Sequence, residues 1–283
     1  MQVFKTKEKI ERTIKTLKNQ KTTIGLVPTM GALHAGHLSL IENGLNENDK
    51  VVVSIFVNPT QFNKKEDLEK YPRSLNRDIE LLKTISKDKI IVFSPSVKEV
   101  YENSIASSRF NFDGLELEME GKFREGHFDG VGTIVKRLFE IVKPHNAYFG
   151  EKDFQQLQII KKLVEKHNLP VNVIGCEIYR ESNGLAMSSR NEILLPKYKK
   201  EAPFIYKTLR TAKAKFKNKS ANKITKWVVK EFANNTLLEL EYFIIADVNT
   251  LKPTQRKSRK KQYRAFIAVY AGKVRLIDNI ALN

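Results

Sequence analysis

Short apolar runs alternate with amphipathic stretches through the first two thirds of the chain. Residues 23–27, 51–57, 90–93, 147–149 and 171–174 are near-continuous apolar segments. Runs of that kind suit strands covered on both faces by helices. Between them, Val131, Ile134, Val135, Leu138, Phe139 and Val142 fall at i, i+3, i+4, i+7, i+8 and i+11, which makes one apolar helical stripe. Leu157, Ile160 and Val164 repeat the pattern, and Pro170 marks the helix exit. Alternating strands and helices predict an α/β, Rossmann-like open sheet, mostly parallel, with ligands at the carboxyl ends of its strands.

The pattern changes after about residue 178. Ala202, Ile205, Leu209, Ala212 and Phe216, then Ile224, Trp227, Val228 and Phe232, predict two helices, with Pro203 in the first turn of the former. Strand-like runs follow at 240–245, 264–270 and 274–277, and Gly272-Lys273 between the last two reads as a hairpin turn. The expected division is a first domain at 1–178 and a smaller C-terminal α+β domain at 179–283.

Composition narrows the class. The 283 residues are 41% hydrophobic and 29% charged, the range of soluble globular proteins. No apolar run approaches the roughly 20 residues needed to cross a bilayer, and the first residues lack the apolar core of a signal peptide. One cysteine, Cys176, allows no internal disulfide and no cysteine-based zinc site. These features point to the cytoplasm. The net charge of +18 attracts anions in general, from nucleotides to nucleic acid. Its densest run is Lys252 to Arg264, a basic loop whose centre, Arg256-Lys-Ser-Arg-Lys-Lys261, has no interleaved aromatic residue to stack bases. A solvated basic surface is the plainer reading of the charge.

The strongest local signal joins the first of these strands to its helix. Pro28 is expected to end the strand. Met30, Gly31, His34, Gly36 and His37 follow, then the helical spacing Leu38, Ile41, Leu45. His34 and His37 are three apart and share a face of the first helical turn. That turn presents unpaired N–H groups and the positive dipole end, a seat for phosphate. A His-x-x-His metal pair and two structural histidines remain as other readings. Neither G-x-G-x-x-G nor G-x-x-x-x-G-K-[ST] occurs, so dinucleotide and P-loop readings fall away.

Other strand ends repeat the logic. Asn58 and Gln61 follow the run at 51–57, where polar amides face a ligand crevice. Gly150 frees a turn after 147–149, and Glu151-Lys152-Asp153 opens a helix. Asp153 can cap that helix, whereas Lys152 opposes the helix dipole unless an anion is present. Gln156 lies one turn after Asp153. Met187-Ser188-Ser189-Arg190 offers two hydroxyls and a guanidinium for phosphate, and Gly184 upstream suggests a mobile loop. Cys176, in an apolar run, reads as core rather than catalyst. The absence of an obvious nucleophile suits acyl adenylation, in which the substrate carboxylate attacks the α-phosphate.

His34-Ala-Gly-His37 resembles the HIGH motif of the nucleotidyltransferase superfamily. The longer string Pro28-Thr-Met-Gly-Ala-Leu-His-Ala-Gly-His37 resembles the pantothenate synthetase (pantoate–β-alanine ligase) family. So do Val57-Asn-Pro-Thr-Gln-Phe62, Tyr71-Pro-Arg73, Glu120-Gly-Lys-Phe-Arg-Glu-Gly-His-Phe128, Phe149-Gly-Glu-Lys-Asp153 with Gln155-Gln156, and Gly184-Leu-Ala-Met-Ser-Ser-Arg-Asn191. Arg275-Leu-Ile-Asp-Asn279 also resembles the family's ending. The resemblance implies ATP as substrate with magnesium (Mg2+), pantoate and β-alanine as the other substrates, and a homodimer formed through the first domain. It assigns ATP to Met30, Gly31, Ala32, Leu33, His34, Ala35, Gly36, His37, Gly150, Glu151, Lys152, Asp153, Tyr179, Met187, Ser188, Ser189 and Arg190. His37, His34, Lys152 and Arg190 are its catalytic set, with His37 the proton donor. Pantoate would meet Gln61, Gln156, Pro28 and Arg124, and β-alanine would meet Gln61, Asn58 and Tyr71. No resident metal, nucleic acid or membrane partner is implied. Glu125 stands where the family has proline and Tyr179 where it has a small aliphatic residue. The rival functions are another HIGH-type nucleotidyltransferase and a basic nucleic-acid-binding protein.

Overall fold

In a computed structural model of the chain, residues 1–62, 65–69, 71–102 and 104–283 are described. They form two compact units. One comprises Met1–Glu151 with Gln155–Glu177, the other Lys152–Phe154 with Ile178–Asn283.

The first unit is built on a six-stranded sheet of β1 (Gln2–Phe4), β2 (Ile24–Thr29), β3 (Lys50–Ile55), β4 (Ile90–Phe93), β5 (Asn146–Gly150) and β6 (Asn172–Cys176). Their order is β1-β4-β3-β2-β5-β6, and every neighbouring pair is parallel. Valines 51, 52 and 53 of β3 are fully buried, as strands between two helical layers must be. The connecting helices are α1 (Lys7–Asn19), α2 (Ala35–Glu47), α3 (Lys65–Glu69), α4 (Leu75–Ile85), α5 (Val97–Tyr101), α6 (Glu120–Phe123), α7 (His127–Val142) and α8 (Phe154–His167). On α7 the whole stripe from Val131 to Val142 is buried, as its spacing requires.

Sheet order locates the crevice. From β2 the chain builds outward through β3 on one side and β5 on the other, so the order reverses between β2 and β5. Ligands of open α/β sheets bind outside the carboxyl ends of the strands at such a reversal. Those ends lead into residues 30–34 and 151–153.

Two expectations need correction here. Pro28 lies inside β2, opposite Ser54 of β3, and does not end the strand. Pairing with β5 extends only to Leu26, so the missing N–H removes no bond on that side. The pattern of apolar runs also omits β1, a three-residue edge strand paired with β4 that is mostly exposed.

The second unit places α9 (Pro196–Glu201), α10 (Phe204–Phe216) and α11 (Ala221–Ala233) with an antiparallel sheet of β7 (Leu238–Asp247), β8 (Tyr263–Ala271) and β9 (Val274–Ala281). Ile205, Leu209, Ala212 and Phe216 of α10 and Ile224, Val228 and Phe232 of α11 bury with Phe243, Ile245, Ile267 and Val269. Pro203 stands at the cap of α10 rather than within its first turn. Ala271 faces Val274, so Gly272-Lys273 is a two-residue hairpin turn with Gly272 at φ +62°. The basic run is partly engaged: Lys257 donates to the Lys217 carbonyl at 2.8 Å, and Lys261 pairs with Asp247 at 3.1 Å. Among the described residues no helix is long and apolar enough to cross a membrane.

Candidate active site

The turn after β2 is held by a residue that motif reading passed over. Gly31 (φ +83°) and Ala32 (φ +51°) both have left-handed backbone, which an alanine adopts only when its surroundings enforce it. Asp78, in the first turn of α4 and 0% exposed, does so. Its two oxygens accept the N–H groups of Ala32 at 3.0 Å and Leu33 at 2.8 Å. Thr29 Oγ1 accepts the Gly31 N–H at 3.2 Å and donates to the Ser54 carbonyl at 2.8 Å. A Cβ on Gly31 would stand 3.1 Å from the Asp78 carboxylate. The available signal was a carboxylate at helical spacing from Leu75 and Leu82, on the stripe α4 buries.

The turn delivers His34 as the cap residue of α2 and His37 as the third residue inside it. The His34 N–H points at His37 Nδ1 across a long 3.4 Å, and the rings lie 4.0 Å apart at 31°. Ala35, Gly36 and His37 make the first helical turn, which carries no acidic side chain. The positive dipole end therefore favours an anion.

After β3, Gln61 is fixed from several sides. Its Nε2 meets the Met30 sulfur at 2.8 Å, and its Oε1 accepts from Asn58 Nδ2 at 3.2 Å. Its backbone carbonyl accepts from Arg124 at 3.2 Å and lies 3.0 Å from His127 Nδ1. Arg124, expected at pantoate, thus grips the backbone of Gln61. Asn58, expected at β-alanine, is 1% exposed. Its Oδ1 accepts from Tyr101 at 2.6 Å and Thr60 at 3.1 Å, and its Nδ2 also donates to the Gly130 carbonyl at 3.1 Å. Asn58 therefore stands behind Gln61 rather than at an open surface. Tyr71 packs edge-on against Phe62 at 5.7 Å.

Gly130 of α7 lets this cluster close. A Cβ there would lie 2.4 Å from the Thr60 carbonyl oxygen and 2.9 Å from Gln61 Cα. Gly130→Ala is expected to push Gln61 outward and, since a misplacement near 1 Å is costly, to raise KM about tenfold or more for whichever substrate Gln61 meets. Steady-state kinetics with each substrate varied in turn would show it. An unchanged KM for every substrate removes Gln61 from substrate recognition.

Of the adjacent glutamines, Gln155 is buried, and its amide donates to the carbonyls of Leu115 at 2.8 Å and Glu118 at 2.7 Å. Gln156, in the first turn of α8, is half-buried. Among the described residues no hydrogen bond joins it to Gln61. Cys176 is buried at the end of β6, and burial raises its thiol pKa, which disfavours the nucleophilic thiolate.

In the second unit, Lys152, Ser188 and Arg190 line one notch together with Arg275 and Asp278. Glu151, Lys152 and Asp153 form a single 3-10 turn running directly into α8. Lys152 is 18% exposed at its side chain and lies 3.8 Å from Asp153. Arg275 is committed to Glu241 at 2.6 Å and Asp278 to Arg180 at 2.7 Å. Ser188 caps the next 3-10 turn, Ser189–Ile193, by accepting the Arg190 N–H at 3.3 Å. Tyr179 is exposed, and its carbonyl accepts the Met187 N–H at 3.0 Å.

Gly184 proves not to be a free hinge. It sits at φ +92° in a turn where Glu181 bonds Leu185, with its missing Cβ 2.6 Å from the Tyr206 ring. The turn needs glycine for its geometry, and Arg180 donates to the Gly184 carbonyl at 3.1 Å.

The family model for pantoate–β-alanine ligase matches residues 2–281. A pantothenate synthetase of Christiangramia forsetii is 59% identical over 283 residues, the whole of both chains. One of Flavobacterium psychrophilum is 56% identical with the same coverage. A pantothenate synthetase structure from Thermus thermophilus superposes with a TM-score of 0.90 at 36% identity, covering 100% of this chain and 99% of its own. A pantoate–β-alanine ligase structure from Francisella tularensis, complexed with β,γ-ATP and β-alanine, gives a TM-score of 0.81 at 38% identity, covering 100% of this chain and 98% of its own.

Proposed function

The chain belongs to the pantoate–β-alanine ligase family, and from that premise we infer how its own residues carry the reaction. The enzyme condenses (R)-pantoate with β-alanine at the expense of ATP, giving pantothenate, AMP and pyrophosphate through pantoyl adenylate. A pantoate carboxylate oxygen bonds to the α-phosphorus of ATP while the bond to pyrophosphate breaks. The β-alanine amine then attacks the acyl carbon, AMP leaves with the electron pair of the acyl–oxygen bond, and the amine gives up its proton.

The observation that carries the residue assignment is the convergence of Lys152, Ser188 and Arg190 on one notch. Lys152 lies 36 and 38 positions before Ser188 and Arg190, and two cations with a hydroxyl donor are the set a polyphosphate takes. In this reading Lys152, Ser188, Ser189 and Arg190 hold the phosphates. His34 and His37 contact them at the start of α2, with His37 giving a proton to the leaving pyrophosphate. Met30, Gly31, Ala32, Leu33, Ala35 and Gly36 offer backbone to the nucleotide, as do Gly150, Glu151, Asp153, Tyr179 and Met187. Gln61 and Gln156 bind pantoate next to Pro28. Asn58 and Arg124 set the pose of Gln61, and Tyr71 completes its surroundings toward β-alanine. Catalysis is then positioning plus charge stabilisation, with no covalent enzyme intermediate.

Among the described residues no three metal-ligating side chains cluster. Magnesium would enter with ATP as its counter-ion and supply further neutralisation of the phosphate charge. The reading includes a homodimer formed through the first unit and a cytoplasmic location.

Purified enzyme with ATP and magnesium is expected to release pyrophosphate when pantoate is added, before any β-alanine. Coupled phosphate detection follows it. Release that needs CTP or tRNA instead, or binding to nucleic acid without ATP chemistry, would overturn the reading.

A further inference from the structure

Strand β9 carries two adjacent polar residues into the interior of the second unit, Asp278 at 4% exposure and Asn279 at 2%. Buried polar groups need partners, and here the partners form a circuit. Asp278 is gripped by both terminal nitrogens of Arg180, at 2.7 and 2.9 Å, while the Arg180 guanidinium stacks 3.7 Å over the Tyr206 ring. Asn279 has two separate tasks. Its Oδ1 accepts a short hydrogen bond from Arg264, and its Nδ2 donates to the backbone carbonyl of Lys152 at 2.9 Å.

Arg264 closes the circuit. Its guanidinium lies 4.1 Å over the ring of Phe154, two residues after Lys152, and Phe154 packs on Phe266 at 5.9 Å. Lys152 is therefore held at its carbonyl by Asn279 and, two residues further on, by the stack beneath Arg264. Hydrogen bonds and stacking fix this short 3-10 turn to β8 and β9, which explains why Lys152–Phe154 group with the second unit.

We propose that Asn279 is a positioning residue for catalysis: its amide fixes the Lys152 backbone so that the ammonium stays at the notch shared with Ser188 and Arg190. This rests on the phosphate-binding role of Lys152 given above. A floppy four-carbon stem on a loose backbone would spread its charge over several ångströms, and a fixed backbone confines it.

Asn279→Asp removes the contact. An aspartate keeps an oxygen for Arg264 but has no donor for the Lys152 carbonyl. Pantoate-dependent pyrophosphate release is expected to fall about tenfold to a hundredfold in kcat, with KM for pantoate unchanged. The double variant with Lys152→Ala is expected to be no slower than Lys152→Ala alone. A normal rate for Asn279→Asp beside a slow Lys152→Ala overturns this inference while sparing the role of Lys152. Fully additive losses in the double variant also overturn it, since they describe a structural residue independent of Lys152. A normal rate for Lys152→Ala overturns both. If Asn279→Asp melts out at assay temperature, Asn279→Ser, which is too short to reach that carbonyl, enters the same cycle with the same expected outcomes.

Discussion

Lys152→Ala is expected to slow pantoate-dependent pyrophosphate release by roughly 10²-fold or more, the scale for removing one transition-state electrostatic contact. The physical case has two parts. A cation at the start of a helix opposes the dipole and is tolerated where an anion offsets it, and Lys152 sits in a 3-10 turn opening directly into α8. Its side chain is mostly buried and shares its notch with Arg190, a second positive charge. Asp153 at 3.8 Å supplies Lys152 with one anion, and a bound polyphosphate would add further negative charge to the notch that Lys152 and Arg190 share. Single-turnover measurement of pyrophosphate release checks the prediction, because it separates chemistry from product release. A rate within twofold of the unmodified enzyme would return Lys152 to a structural role.

Asp78→Ala carries the second large effect, and it reaches both stability and rate. The substitution strands the buried N–H of Leu33, which costs about 1–3 kcal/mol when left unpaired, and the half-buried N–H of Ala32, which costs less. Thermal unfolding should move down by several degrees. The left-handed backbone at Ala32 loses the contact that enforces it, so the turn carrying His34 and His37 relaxes. Pyrophosphate release should then fall about 10²-fold or more even at temperatures where the variant is folded. Asp78→Asn keeps one acceptor oxygen and should fall between the two. A melting temperature and rate both equal to those of the unmodified enzyme would show that the turn holds itself.

Much of this was readable along the chain, for identifiable reasons. Buried parallel strands must be apolar on both faces, so the runs at 51–57 and 90–93 could hardly be anything else. The stripe on α7 and the Gly272-Lys273 hairpin follow from local periodicity and turn chemistry. The candidate motifs at 30–37, 58–61 and 150–153 were legible because each stands at or just after a strand end, and because His34-Ala-Gly-His37 and its companions resemble a known family. The apolar runs did not reveal β1, whose three residues carry too little pattern, nor the passage of β2 through Pro28, which depends on where β5 stops pairing. They suggested a mobile loop at Gly184, where the Tyr206 ring and Arg180 in fact hold the turn.

What sequence alone determined is the chemistry at hand and the class of the fold: which side chains are available, and the alternating period that makes a parallel sheet. What only tertiary structure decided is which of those side chains are free to meet substrate. Asn58 and Gln155 look as exposed as Gln61 and Gln156 in the sequence, yet each is buried with its amide satisfied inside. Asp78 and Asn279 belong to no ligand-facing motif, yet they hold the backbones that carry His34 and Lys152. The reason is that a hydrogen bond between residues 46 or 127 positions apart leaves no periodic trace. It exists only once packing has brought the two segments together and removed the water that would otherwise satisfy them.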